Sequence, residues 1–247
     1  MIQGKKMLVI SAHAADYVWR SGGTIAKYIK NGADVHVVVL SFGVRGESND
    51  LWKKEGATAE SVKAERFEET KAAAAILGIT NIEFWDLPDY PMAPELNKPE
   101  TYERMIRKIR EVRPDIILTH DKNGEDVLNP DHNAVSRFVF ECSIQANSNG
   151  VRLEGTKTTK QMRLFGFEPH QTELSKFFPG SLIDITEVYD QKVAAMKCFK
   201  AQSHLIEYYT ERAFLRGNHI RRISGNQTFK YAECFSNFFP VAGEELV

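Results

Sequence analysis

Apolar residues in this chain fall into short unbroken runs, separated by longer stretches where they recur every three or four positions. Met7–Ser11, Val35–Ser41 and Asp115–Thr119 are unbroken runs rich in Val, Ile and Leu. Such runs read as strands buried on both faces. Ile82–Trp85 is a shorter strand of the same kind. Thr24–Asn31, Ala59–Leu77, Thr101–Val112 and Asn133–Gln145 carry helical spacing, and Gly32 and Gly78 stand where helices end. The pattern is less regular further on. Leu164–Glu168 and Leu182–Asp184 are candidate strands, and Val188–Ala201 and Leu205–Arg216 are candidate helices. Strands of this kind alternating with helices predict an α/β fold with a mostly parallel sheet covered on both faces. No repeat, low-complexity tract or linker breaks the pattern, so a single domain is expected over residues 1–247.

Composition narrows the function classes. The chain is 43% hydrophobic and 26% charged, which is ample for a core, and its net charge of −1 leaves no basic excess for nucleic acid. Cys142, Cys198 and Cys234 are scattered, odd in number and without C-x-x-C spacing, which fits a reduced, cytoplasmic protein. The N-terminal apolar run leads straight into the first strand instead of forming a signal peptide. No stretch is long enough to span a bilayer. There is no G-x-G-x-x-G after the first strand and no P-loop motif, so dinucleotide and P-loop chemistry drop out. Gly22-Gly23 alone reads as a close packing point between helix and sheet.

Polar residues cluster where strands end, and in a parallel sheet those ends share one edge, where ligands bind. His13 and Asp16 follow the first strand, and Glu47 lies in the long polar loop after the second. His120, Asp126, Asn129, Asp131 and His132 follow the DIILT strand. His13, Asp16 and His132 form a His₂-carboxylate set, the donor number of catalytic zinc, and one that also suits Fe²⁺ or Mn²⁺. The same residues have plainer readings, His13 as a core histidine and Asp16 as a helix cap.

The stretches Ala12-His13-Ala14-Ala15-Asp16 and Asn129-Pro130-Asp131-His132 resemble the A-H-P-D-D and H-P-D-H motifs of the LmbE-like (PIG-L) zinc de-N-acetylase superfamily. The resemblance implies a Rossmann-like three-layer fold and zinc held by His13, Asp16 and His132. It also implies a departure. The family's general base falls on Ala15, whose methyl takes no proton, and its oxyanion-stabilising histidine falls on Asn129. Longer stretches resemble the 4-oxalomesaconate hydratase branch of this superfamily. They are SAHAADYVWRSGG at 11–23, LSFGVRGES at 40–48, DYPM at 89–92, FEPHQ at 167–171, DIT at 184–186 and HLIEYYT at 204–210.

That branch implies water addition to a C=C bond of a small anionic keto acid in aromatic-acid catabolism. Two further readings stand beside it: a zinc-dependent N-deacetylase of an amino-sugar conjugate, and a metal-binding scaffold without catalysis. In the hydratase reading Glu47 and His170 act as an acid/base pair. Asp131 either orients a metal-ligating histidine or caps the helix expected at Asn133. Arg20, Arg45 and Arg216 are the candidate carboxylate-binding cations. His120, Asn129 and His204 are candidate pocket residues, and Arg221 and Arg222 are candidates for reaching a neighbouring subunit of a homo-oligomer.

Overall fold

The structure is a computed structural model that describes residues 2–122, 126 and 128–240. The chain runs β1 (Lys6–Ser11), α1 (Asp16–Lys30), β2 (Asp34–Val39), α2 (Asn49–Trp52), α3 (Ala59–Leu77), β3 (Asn81–Phe84), α4 (Ala93–Leu96) and α5 (Pro99–Val112). It continues through β4 (Ile116–His120), α6 (Pro130–Asn147), β5 (Arg163–Phe167), β6 (Ser181–Asp184), α7 (Tyr189–Met196), α8 (Leu205–Ser224) and β7 (Ala232–Asn237). The sheet order is β3-β2-β1-β4-β5-β7-β6. Strands β1 to β5 pair in parallel, and β7 runs antiparallel to both of its neighbours. This is the expected three-layer α/β architecture.

Period-two alternation explains the unbroken apolar runs. In β1, Met7 and Val9 face one core, while Leu8 and Ile10 face the other. The first core packs α1, α3, α7 and α8 against the sheet, and the second packs α4, α5 and α6. After β1 the chain moves to β2 and β3 on one side, and β4 lies on the other. That reversal opens a crevice at the C-terminal ends of β1 and β4.

Helix α3 has the predicted bounds. Thr58 and Ser61 form a reciprocal capping box at its start, and Gly78 closes it at φ +80°. Helix α1 differs from expectation, beginning at Asp16 instead of Thr24. Gly22-Gly23 therefore lies inside the helix, where glycine weakens propensity, and tertiary contacts override that weakness. A Cβ on Gly23 would lie 2.7 Å from Ile185, so glycine permits the close packing. The buried Glu233 carboxylate accepts the N–H groups of Gly23 and Thr24, and Lys192 pairs with it while donating to the Trp19 carbonyl. Helix α6 starts at Pro130, three residues before the predicted Asn133. Of the predicted loop 120–131, residues 123–125 and 127 lie outside the described residues. The predicted helix 188–201 ends at Met196 and passes into a 3₁₀ turn at Lys200–Gln202, and α8 runs on to Ser224. Strand β7 was not anticipated, because AECFSN holds no β-branched residue and only one short apolar pair, Cys234-Phe235, unlike the unbroken runs of β1, β2 and β4.

Candidate active site

Three connections deliver the polar residues to the crevice. The β1–α1 turn carries His13 and Asp16, the β2–α2 loop carries Glu47, and the first turn of α6 carries Asp131 and His132. One donor atom from each of His13, Asp16, Glu47 and His132 lies within 4.8 Å of the others. The Glu47 carboxylate is 3.2 Å from His13 Nδ1 and 3.5 Å from His132 Nε2, and Asp16 is 3.3 Å from His132 Nε2. Gly43, at φ +70°, starts the Glu47 loop. A Cβ there would press on both Glu47 and His13, so a left-handed glycine lets the loop approach this closely.

Each histidine has its outer nitrogen held. His13 Nε2 lies 3.3 Å from Asp131 Oδ2, and His132 Nδ1 lies 2.8 Å from Asp126 Oδ2. Carboxylates in these positions fix ring orientation and leave His13 Nδ1 and His132 Nε2 facing the cluster. Asp131 is itself anchored by the N–H groups of Tyr90 and Met92, at 2.9 and 2.7 Å. The helix-cap reading of Asp131 is therefore corrected. Asn129 caps α6, accepting from the Asp131 N–H, because the helix starts earlier than expected. Asn129 Nδ2 also donates to Glu47 Oε1 at 3.0 Å, and Gln202 Nε2 approaches Glu47 Oε2 at 3.5 Å. Arg66, fully buried, donates to Gln202 Oε1 and so turns that amide group toward Glu47.

The charges of the cluster are coupled. Burial disfavours ionisation of His13, but Glu47 and hydrogen bonds to Asp131 and Asp16 carry its pKa well above the usual value. Burial likewise works against His132, yet Asp16 and Asp126 push it up to about 9. Burial alone would raise Asp16 and Glu47; the neighbouring histidines hold both well below the carboxylate range. Two carboxylates thus face two imidazole rings whose inner nitrogens stand 3.2 Å apart and share a proton, and a divalent ion would supply positive charge at the same place. Two imidazoles and two carboxylates, buried and pre-oriented, fit a divalent metal.

Beside the cluster lies a cleft of about 540 Å³, lined by Glu47, Asn129, His170, Gln202, His204 and Tyr208 among others. His170 Nδ1 is 2.9 Å from the Tyr209 hydroxyl. Burial, then the nearby Arg20 charge, push His170 down to about 3, so it is neutral near pH 7. His204 sits at the exposed rim. Glu47 and His170 thus share one cleft.

None of the three candidate arginines lines this cleft. Arg20 is 4% exposed and lies behind the cluster, donating to Asp126 Oδ2 and the Glu168 carbonyl. Arg216 is engaged with the Glu168 carboxylate, and exposed Arg45 turns to the Asp89 carbonyl at 3.4 Å. Arginine spacing in a sequence carries no signal for an internal carboxylate partner, and here such partners capture two of the three. Among the described residues the cleft lining instead carries Lys53, paired with Asp50 at 2.7 Å, and the His204 ring at the rim. His120 is also corrected, from pocket to floor. It is 1% exposed, accepts the Ala12 N–H and stands 3.5 Å from Asp16, and burial pushes it down to about 3.

Asp126 and Gln202 had no assigned role in the sequence, and Tyr209 stood only in a polar-aromatic group with His204, Glu207 and Tyr208 that could close the pocket or pack as a helix face. Asp126 precedes His132 by six residues, a weak signal at best. Gln202 comes from a distant element with no local pattern pointing to it, and the HLIEYYT stretch marks Tyr209 without showing its partner.

Comparison with known proteins fits this geometry. The chain is 41% identical to the 4-oxalmesaconate hydratase of Pseudomonas putida over 98% of this chain and 92% of that protein. The crystal structure of GalB, the 4-carboxy-2-hydroxymuconate hydratase from the same organism, superposes with a TM-score of 0.91 at 40% identity, covering 98% of this chain and all of that one. The diacetylchitobiose deacetylase of Thermococcus kodakarensis is 28% identical over 80% of this chain and 70% of its own length. The N,N'-diacetylchitobiose deacetylase of Pyrococcus horikoshii shares the fold, with a TM-score of 0.77 at 21% identity over 95% of this chain and 84% of its own. The family model for PIG-L, GlcNAc-PI de-N-acetylase, matches residues 8–143, which span β1 to α6 and with them the four residues of the candidate metal site, so the chain belongs to the PIG-L family.

Proposed function

We propose that the protein is a metal-dependent hydratase that adds water across a C=C bond of a small anionic keto acid, of the 4-oxalomesaconate or 4-carboxy-2-hydroxymuconate type. The observation that carries this reading is the position of Glu47. A carboxylate from the β2–α2 loop stands at the metal-binding cluster, while residue 15, where the deacetylase motif has its base, is a buried methyl. The end-to-end likeness to a hydratase supports the same reading.

The residues divide the work. His13, Asp16 and His132 hold the metal, with Asp131 and Asp126 orienting the two rings. A divalent ion bound there supplies Lewis acidity, polarising a carbonyl oxygen and making water more acidic. Glu47, ionised at neutral pH, takes a proton from the attacking water, whose oxygen bonds to one alkene carbon. Glu47 returns that proton to the neighbouring carbon by way of His170, a neutral imidazole that relays it through Nε2 while Nδ1 is held by Tyr209. Asn129 and Gln202 steady Glu47. Lys53 offers the substrate carboxylates positive charge at the rim, and the His204 ring a hydrogen bond. Zinc is the proposed ion, and the same donors accept Fe²⁺ or Mn²⁺, which elemental analysis of the purified protein distinguishes. Among the described residues no helix is long and apolar enough to cross a membrane, and the three cysteines are free, in keeping with a reducing compartment.

Two assays test the reading. The expected result is loss of the conjugated dienol absorbance of 4-carboxy-2-hydroxymuconate, without acetate release from N-acetylglucosamine conjugates. Acetate release without hydration would replace the hydratase by a deacetylase. Inactivity in both assays across a substrate panel would leave a metal-binding scaffold.

A further inference from the structure

The DYPM stretch is a conspicuous part of the sequence, yet it supplies none of the four cluster donors. Its contacts run to the loop and the helix that do. Asp89 is 2% exposed, and its Oδ2 accepts the backbone N–H groups of Arg45 and Gly46, at 2.9 and 2.8 Å. These are the two residues directly before Glu47. The next residue, Tyr90, lies over the same turn. A Cβ on Gly46 would come within 2.2 Å of the Tyr90 ring, so the turn fits beneath that ring only as glycine. Tyr90 adopts φ +50°, an unfavourable region for a non-glycine residue. Its N–H is donated to Asp131, the carboxylate that orients His13. The segment thus grips the Glu47 loop with one residue and the His13 support with the next.

We infer that Asp89 is a positioning residue for Glu47: its buried carboxylate clamps the two amides preceding Glu47 and so fixes where that side chain meets the His13–Asp16–His132 cluster. A carboxylate accepting two backbone N–H groups is a strong restraint on a loop. On the far side of Glu47 the loop has its own ties. Ser48 Oγ donates to the Gly43 carbonyl, and Trp52 Nε1 donates to the Val44 carbonyl. Asp89 supplies the long-range restraint on Arg45 and Gly46, and its own side chain does not line the cleft. The inference rests on the acid–base reading of Glu47.

The test is a double-mutant cycle on the metal-loaded enzyme, with metal content and thermal midpoint measured alongside kcat and KM. Asp89→Ala is expected to lower kcat about 10²-fold, the size of effect that a misplaced catalytic group produces. KM and one metal ion per chain are expected to be retained. Asp89→Asn keeps an acceptor oxygen and is expected to recover most of kcat. Asp89→Ala combined with Glu47→Gln is expected to be no slower than Glu47→Gln alone. Parental kcat in Asp89→Ala, or losses that multiply in the double variant, would overturn the inference while leaving the role of Glu47 intact. Parental kcat in Glu47→Gln would instead remove the acid–base reading, and the inference with it. If Asp89→Ala does not fold, Gly46→Ala probes the same turn from the Tyr90 side. The same loss of kcat with metal retained is expected, and an unchanged kcat would count against the clamp.

Discussion

The floor of the cleft and its rim are built in opposite ways. On the floor, His13, Asp16, Asp131 and His132 are each at most 1% exposed, and nearly every polar atom has a fixed partner. The elements there are the central strands β1 and β4 and the long helices that follow them. The rim consists of the β2–α2 loop with the end of α2, the β3–α4 connection, the turn after β5 and the approach to α8. Its side chains, including Lys53, Tyr90 and His204, are partly or largely exposed. A buried array of charges persists only when each charge has a partner, so the floor tolerates little change. The rim carries no such requirement, and substrate preference can vary there without threatening the fold. In a family containing both hydratases and deacetylases, that division would let one candidate metal floor serve different reactions. Glu47 belongs to both regions, since it reaches the floor from a rim loop.

The largest effect expected to expose this contrast is His132→Ala. It removes a floor donor and leaves Asp126 without its ring, so metal content measured by elemental analysis should fall to background and activity with it. Glu47→Gln comes next. Three donors remain, so metal should be retained while kcat falls about 10²–10⁴-fold, the usual contribution of a general base. Loss of metal in that variant would move Glu47 wholly to the floor. His170→Ala should cost about 10²-fold in kcat, and Tyr209→Phe less, because Tyr209 acts only through the His170 ring. Equal losses would mean that the hydroxyl itself touches substrate.

Metal affinity should vary with pH. Both cluster histidines are raised in the metal-free protein, His132 to about 9, and each must lose a proton to ligate. Affinity measured by chelator competition should therefore rise with pH up to about 9, by about tenfold per pH unit for each proton displaced. A flat profile between pH 6 and pH 9, the latter being the value for His132, would show that the histidines are neutral before metal binds. The smallest effect is expected for Arg45→Ala, on the exposed outside of the rim, where kcat and KM should both stay close to parental values. A large rise in KM there would return Arg45 to the substrate-binding set.

Much of the floor was legible in the sequence. His13 and Asp16 stand directly after an apolar strand, and His132 stands in the first turn of a helix after another, so chain topology alone brings them to one edge. The rim was legible only in part. Glu47 and His170 could be picked out from their motifs. Asp89 and Tyr209 also stand in motifs, DYPM and HLIEYYT, but what they touch could not be read there, and Gln202 stands in none, because each meets a partner more than 35 positions away, such as Tyr209 on His170. The arginines show the same limit from the other side. Arg20 and Arg216 carry the right charge for a substrate carboxylate, and Asp126 and Glu168 claim them first.

Local pattern determined the strands, most of the helices, the sheet's parallel core and the residues able to ligate a metal, because periodicity and strand ends are short-range properties. Tertiary structure decided where α1 begins, which carboxylate orients which histidine, and which cations remain for a ligand. Those outcomes depend on competition between partners remote in sequence, and burial settles that competition by making every unpaired charge costly.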